Sequence, residues 1–177
     1  MCDIPNRFNT PLKRARSYIK VIHYRRNFYN QCMADKGTLL WGTANPEGMD
    51  NAYQGIFLNK DDVQSMVKQV ESANSRGEPI PVHLEHKGVA VGHVVSAWAH
   101  NNSLQCVLRL NERVFEGAIG SEFVRKGICN ELSLGYAVDL QNSATGLKAV
   151  NKKLKEISVV KKGARHHCQI HAVCASK

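Results

Sequence analysis

The amino-acid sequence predicts a mainly β protein with helices at its periphery. Short segments rich in apolar and β-branched residues alternate with turn residues, and two stretches of helical periodicity interrupt their order. Consecutive strands joined by short polar turns indicate a meander, and the inserted helices favour a mostly antiparallel β-barrel or sandwich. The predicted strands are residues 38–44, 81–86, 90–97, 104–110, 132–140 and 154–160.

The first helix is predicted to begin in the polar stretch 59–62 and to stop before the turn residues 72–77. Its apolar residues recur at the spacing i, i+3, i+4 and i+7, which forms one helical face that must pack on a sheet. These residues are Val63, Met66, Val67 and Val70. A shorter helix is predicted at 114–126.

The chain is predicted to have three parts. The 177 residues carry a formal charge of +9 at pH 7, and the length suits one domain with its own hydrophobic core. Residues 1–37 are strongly basic and are predicted to form an N-terminal arm. Residues 38–171 are predicted to form the compact domain, and residues 172–177 a C-terminal tail. The arm is either a solvated extension or a contact to nucleic acid or another acidic partner.

The six cysteines are scattered along the chain. No apolar run is long enough to cross a bilayer, and the N-terminus lacks the order of a secretory signal. We therefore expect a reducing compartment, six free thiols and no disulfides.

Ser133 is a candidate nucleophile. Period-two alternation in residues 131–138 places Ser133, Gly135 and Ala137 on one face of a strand. Small neighbours leave room for an extended substrate backbone, which a nucleophilic serine needs. A solvated or hydrogen-bonded structural serine is the alternative interpretation.

His86 is a candidate general base. Alternation along residues 81–86 predicts that His86 shares a partly buried face with Val82 and Leu84, while His83 and Glu85 point the other way. A partly buried imidazole stays neutral near pH 7 and can accept a proton from a hydroxyl. A core histidine with a structural role is the alternative.

Glu156 interrupts a segment, 154–160, that otherwise reads as a buried strand. A buried carboxylate needs a partner. An imidazole is a natural partner. The carboxylate would accept a hydrogen bond from its Nδ1–H and so fix the tautomer whose Nε2 faces a serine. Pairing with a nearby lysine is the alternative.

Residues 79–94 (PIPVHLEHKGVAVGHV) resemble the catalytic histidine strand of the herpesvirus assemblin proteases. Residues 132–135 (LSLG) resemble the nucleophile strand of that family, and 154–165 its third catalytic residue and basic loop. The resemblance covers roughly 38–170, with the order histidine, serine, third member. It implies an antiparallel β-barrel, a serine endopeptidase, and no cofactor or metal.

Glu156 departs from the assemblin pattern, because assemblins have a second histidine there. Glutamate is similar to the related prohead proteases of tailed phages, so the resemblance implies a Ser133–His86–Glu156 triad in a divergent member of this superfamily. It also implies that the Ala164 backbone N–H, assisted by the Arg165 side chain, stabilises the oxyanion.

The resemblance further implies partners and a location. The substrate would be the internal scaffold protein of an assembling capsid, cut at Ala-Ser type bonds, with capsid protein as another partner. The protease would form a weak homodimer and act inside assembling capsids, in the host nucleus if it is herpesvirus-like. Ala175-Ser176 resembles such a bond and would be a self-cleavage site in a longer precursor.

Two other classes of function compete with this one. His166, His167, Cys168, His171 and Cys174 form a dense group of potential zinc ligands, although consecutive ligands on a strand would point to opposite faces. Aromatic residues among the arginines of the arm could instead stack on nucleic-acid bases. A catalytically inactive scaffold component is the third alternative.

Overall fold

The computed structural model describes residues 28, 37–48, 55–144 and 146–175. Within these residues the chain forms a seven-stranded sheet and two longer helices. The strands are β1 (Thr38–Asn45), β2 (Pro81–Leu84), β3 (Lys87–His100), β4 (Ser103–Leu110), β5 (Glu131–Ser143), β6 (Gly146–Val160) and β7 (Ile170–Ala175). The helices are α1 (Lys60–Ser75) and α2 (Phe115–Arg125).

The strand order in the sheet is β5-β6-β2-β3-β4-β1-β7. All neighbouring pairs are antiparallel except β2 and β6, which run parallel, so the sheet is mixed rather than purely antiparallel. The beginnings of the end strands β5 and β7 meet at an isolated bridge between Glu131 and Gln169, flanked by backbone hydrogen bonds from the Leu132 N–H to the Cys168 carbonyl and from the Ile170 N–H to the Asn130 carbonyl. The mainly β class with peripheral helices is thus confirmed, and the sheet is not closed into a barrel by a continuous ladder.

Helix α1 follows from its local sequence. Asn59 caps it, accepting a hydrogen bond from the Asp62 N–H while the Asp62 carboxylate accepts from the Asn59 N–H. This reciprocal arrangement satisfies two otherwise unpaired donors of the first turn. All four apolar residues of the predicted face are buried, as expected, and the helix runs to Ser75, into the segment predicted as a turn.

The main hydrophobic core lies between the sheet and α1. It contains Val63 and Met66 of the helix and Val82, Leu108 and Ile157 of the sheet, all fully buried. Burying such a side chain contributes about 1.5–3 kcal/mol. This core holds the parallel pair β2 and β6 together, and that pair carries the candidate site.

The structure describes little of the predicted arm and most of the predicted tail. Of residues 1–37, only Phe28 and Gly37 are described, and Phe28 is 3% exposed against Leu39, Trp98 and Val107. Residues 172–175 belong to β7, which pairs with β1. Ala175 is the last residue of that strand, and Ser176 lies outside the described residues.

Candidate active site

Two neighbouring strands carry most of the candidate site. In the antiparallel pairing of β5 with β6, Ser133 lies opposite Ser158, and Gly135 lies opposite Glu156. Residues two apart on a strand, and their cross-strand partners, project to the same face of a sheet. Ser133 and Glu156 are therefore diagonal neighbours on one face, with Cα atoms about 7–8 Å apart by standard sheet geometry.

Gly135 leaves the space that the Glu156 side chain fills. A Cβ atom at Gly135 would lie 2.5 Å from both Cγ and Oε1 of Glu156, well inside the usual carbon contact distance of about 3.5–4.0 Å. The missing side chain lets Glu156 lie against the backbone of β5. Glycine at this position thus sets the place of the carboxylate.

His86 lies in the tight turn between β2 and β3. Glu85 and His86 are both left-handed, with φ of 54° and 57°, and Leu84 pairs with Lys87 across them. Such two-residue hairpin loops favour Asn and Gly, because a left-handed conformation costs other residues roughly 1–2 kcal/mol each. Interactions of the Glu85 and His86 side chains must offset that cost.

A hydrogen bond joins His86 to Glu156. The His86 Nδ1 lies 2.5 Å from Glu156 Oε1, and an ionised carboxylate only accepts, so Nδ1 donates. This bond fixes the tautomer in which Nε2 can take up a proton. The other carboxylate oxygen, Oε2, accepts from the Ser158 hydroxyl at 3.1 Å and lies 3.8 Å from His83 Nε2.

Three details predicted for this histidine segment are wrong. The strand ends at Leu84, so alternation does not extend to His86, whose side chain is 42% exposed rather than partly buried among apolar residues. The turn lies at Glu85 and His86 rather than after them. His86 does not share the face of Val82, which is fully buried in the core; it lies with His83 beside the Glu156 carboxylate.

Ser133 lies on the same face but is not joined to His86. The residue is 2% exposed, and its Oγ makes no hydrogen bond within the described residues. The structure therefore brings His86 and Glu156 together and leaves the Ser133 hydroxyl, on the same sheet face, unpaired. An unpaired buried hydroxyl costs about 1–3 kcal/mol, and a catalytic role is one recognised reason for keeping such a group.

The loop 161–169 carries Ala164 and Arg165. Arg165 is 3% exposed, its Nη2 donates to the Tyr136 hydroxyl at 2.8 Å, and its guanidinium lies 5.5 Å from the centre of the Tyr136 ring. Because Tyr136 follows Ser133 by three positions on β5, the loop is fixed to the strand of the candidate nucleophile. Ala164 is exposed in this loop.

Two of the potential zinc ligands have hydrogen-bond partners within the protein. The Cys168 thiol donates to the Ala44 carbonyl at 3.3 Å, and His171 Nε2 lies 2.7 Å from the Thr43 hydroxyl. In the part of the chain that the structure describes, no three His, Cys, Asp or Glu side chains form a group that could hold a metal ion. Neither described helix is long and apolar enough to cross a membrane.

The cysteines only partly match their prediction. Cys106, Cys129 and Cys168 are free and buried, but Cys174 is disulfide-bonded, so the prediction of six free thiols is wrong for Cys174. Cys2 and Cys32 lie outside the described residues. Burial raises the pKa of the Cys168 thiol to about 12. The pKa of the Cys129 thiol is raised to about 11, mainly by burial and to a smaller extent by the nearby Glu85 carboxylate.

Sequence reasoning missed Ser158, Gly135 and His83 as members of the site. Ser158 carried a usable signal, because it lies two residues after Glu156 and alternation places both on one face. The role of Gly135 depends on the pairing register of β5 with β6, and local sequence does not encode that register.

Comparison with solved structures shows that the fold is similar to that of a viral protease. The structure is similar to the KSHV protease in complex with a hexapeptide phosphonate inhibitor, with a TM-score of 0.53 and 14% identity over 76% of this chain. The match spans 63% of the length of that protease. The bacteriophage T4 capsid assembly protease gp21 also matches, with a TM-score of 0.45 and 15% identity, over 72% of this chain and 99% of the T4 chain.

The KSHV match confirms, at the level of the fold, the assemblin resemblance seen in the sequence. No family model matches the chain, and no curated protein matches it. The chain thus has a fold similar to that of the KSHV protease.

Proposed function

We propose that this chain is a serine endopeptidase in which Ser133 is the nucleophile, His86 the general base and Glu156 the orienting acid. The observation that carries the proposal is the His86–Glu156 hydrogen bond, formed through Nδ1, on the sheet face that also holds the unpaired hydroxyl of Ser133. These are three group types in the roles that acyl transfer by a serine requires.

In the proposed reaction, Ser133 Oγ attacks the scissile carbonyl carbon while His86 Nε2 takes the hydroxyl proton. Glu156 stabilises the imidazolium that results, and His86 then gives the proton to the leaving amine. The acyl-enzyme is hydrolysed by a water molecule that His86 activates in the same way. The Ala164 N–H and the Arg165 guanidinium would stabilise the oxyanion in both halves.

The step that the proposal adds is an approach of His86 to Ser133. Catalytic hydrogen bonds are often long in free enzymes and tighten in the substrate complex. The His86 side chain is partly exposed, so its ring can rotate more freely than the buried side chain of Ser133. Substrate binding would therefore complete the triad by moving the imidazole.

The proposed substrate is the internal scaffold protein of an assembling viral capsid, cut at bonds of the Ala-Ser type. This narrower proposal is supported by the fold, which is that of the KSHV protease, and by the sequence resemblance. It places the chain inside assembling capsids, in the host nucleus if the virus is herpesvirus-like. It also includes capsid protein as a partner, a weak homodimer and self-cleavage between Ala175 and Ser176.

The test is hydrolysis of a peptide with the sequence of residues 171–177, followed by mass spectrometry. The wild-type chain should cut the peptide between its Ala and Ser, and Ser133→Ala should lower kcat/KM by about 10⁴-fold or more. Ser121→Ala is a matched control, because Ser121 is also fully buried with an unpaired Oγ but lies on α2. Equal rates for wild type and Ser133→Ala would contradict the proposal.

Peptide specificity is tested separately from the triad. If a broad mixture of peptides is cut in a Ser133-dependent way but the Ala-Ser peptide is not, the protease assignment stands and the proposed specificity is wrong. If no peptide is cut under any condition, the interpretation as an inactive scaffold component or nucleic-acid-binding capsid component gains support.

A further inference from the structure

Glu85 connects the turn that carries His86 to the loop 161–169. Its carboxylate Oε1 accepts the Lys161 backbone N–H at 2.8 Å, and its own N–H donates to the Val159 carbonyl at 3.0 Å. The Cys129 thiol donates to the same Oε1 at 3.8 Å. The residue beside His86 is thus bonded, through side chain and backbone, to the point where β6 ends and the loop begins.

A second carboxylate holds the next part of this loop. Glu131 Oε2 accepts the Gly163 N–H at 2.6 Å. A Cβ atom at Gly163 would lie 2.8 Å from the Leu132 carbonyl oxygen, so only glycine lets the loop approach β5 this closely. Two carboxylates therefore bind the N–H groups of Lys161 and Gly163, immediately before Ala164.

The residue types in the turn support a role for Glu85. Glycine or asparagine would adopt its left-handed backbone conformation with less strain. Glutamate brings a side chain that forms a charge-assisted hydrogen bond to a backbone N–H, which is stronger than a neutral one. The hydrogen bonds of Glu85 to Lys161 and of His86 to Glu156 are both made by side chains of this strained turn.

We infer that Glu85 is a positioning residue that makes the His86 turn and the loop bearing Ala164 one rigid unit, with Glu131 as its counterpart on β5. This inference rests on the proposed protease function and deepens it. Moving either carboxylate would shift the loop and displace the Ala164 N–H that is proposed to bind the oxyanion. Reaction rates are sensitive to displacements of this kind even when binding is preserved.

Two substitutions at Glu85 separate this role from a general structural one. Glu85→Gly relieves the left-handed strain and removes the carboxylate, whereas Glu85→Gln keeps an oxygen that can accept from Lys161. Glu85→Gly should lower kcat about tenfold or more with KM within about threefold of wild type, and Glu85→Gln should stay within about threefold in both. Glu122→Gln, at an exposed pair with Lys126 on α2, is the matched control.

The inference is overturned if Glu85→Gly keeps wild-type kcat. It is also overturned if Glu85→Gln loses as much activity as Glu85→Gly, because the carboxylate charge rather than the bond to Lys161 would then be responsible. A thermal unfolding scan checks the fold, and Glu85→Gly should unfold at a temperature no lower than that of Glu85→Ala.

Amide hydrogen exchange in the Ser133→Ala background gives a measurement independent of activity. Glu85→Gly should lower the protection of the Lys161 N–H about tenfold or more, with Leu108 in β4 unchanged. Unchanged protection at Lys161 overturns the inference even if the chain is an active protease. If the protection of the Lys161 N–H is lost in a chain that shows no cleavage, the result supports the positioning role of Glu85 and contradicts the proposed protease function.

Discussion

Replacing Gly135 with alanine would place a methyl group in the space that Glu156 occupies. The new Cβ would lie 2.5 Å from Cγ and Oε1 and 2.9 Å from Cδ of that side chain. To restore a normal carbon contact of about 3.5 Å, the two groups must separate by about 1 Å. Cγ is close to the backbone of β6, so rotation of the carboxylate alone does not relieve the clash.

A displacement of that size would break the hydrogen bond between Glu156 and His86. The bond is now 2.5 Å long, and an added 1 Å brings it to the limit beyond which side-chain hydrogen bonds are no longer made, about 3.5 Å. The imidazole would lose its fixed tautomer, and kcat/KM should fall by about 10²-fold or more. Overpacking should also cost about 1–3 kcal/mol of stability.

The assay combines peptide cleavage with NMR of the His86 Nδ1 proton, whose resonance should disappear in Gly135→Ala. Gly120→Ala is the matched control, since its Cβ would meet only Leu110 and Val91, at 3.8 and 4.0 Å. It should keep full activity and gain stability, because alanine is the better helix former. If Gly135→Ala keeps wild-type activity and its Nδ1 resonance, the reasoning about this contact is refuted.

Three further predictions concern Ser158, Cys129 and His93. Ser158→Ala removes the hydroxyl that donates to Glu156 Oε2 at 3.1 Å, and this loss should lower kcat for peptide cleavage about tenfold. An unchanged rate would mean that this bond does not orient the carboxylate. Because the pKa of Cys129 is raised to about 11, iodoacetamide at pH 8 should alkylate this thiol about a hundredfold more slowly than a free cysteine in the unfolded chain. The pKa of His93 lies below its usual 6.5, mainly because the imidazole is partly buried and also because the positive charge of Arg109 is near. The unfolded state therefore takes up this proton first, and stability should fall as pH drops below about 6.5; His93→Gln should show a smaller loss in urea unfolding between pH 7 and pH 5.

Features that local sequence determines were predicted well. The face of α1 follows from residues at helical spacing, and its start follows from the reciprocal caps of Asn59 and Asp62. The strand that carries Ser133 follows from alternation. Each of these depends on interactions within about one turn or on one strand.

Features that depend on distant pairing could not be predicted in the same way. The parallel pairing of β2 with β6 joins segments about 75 residues apart, such as Val82 and Ile157, and it brings His86 to Glu156. The turn at Glu85 and His86 was missed because neither is a usual left-handed residue. The reason lies in contacts with Lys161 and Glu156, which are remote in sequence.

In the proposed mechanism, the Ser133 hydroxyl reacts as a nucleophile activated by His86. Labelling of the intact protein with a fluorophosphonate, followed by mass spectrometry to locate the modified residue, tests this step. We expect one label per chain, on Ser133, formed at least about a hundredfold more slowly in His86→Ala and Glu156→Gln. If Ser133 stays unlabelled, or is labelled at the same rate without His86, the mechanism is wrong.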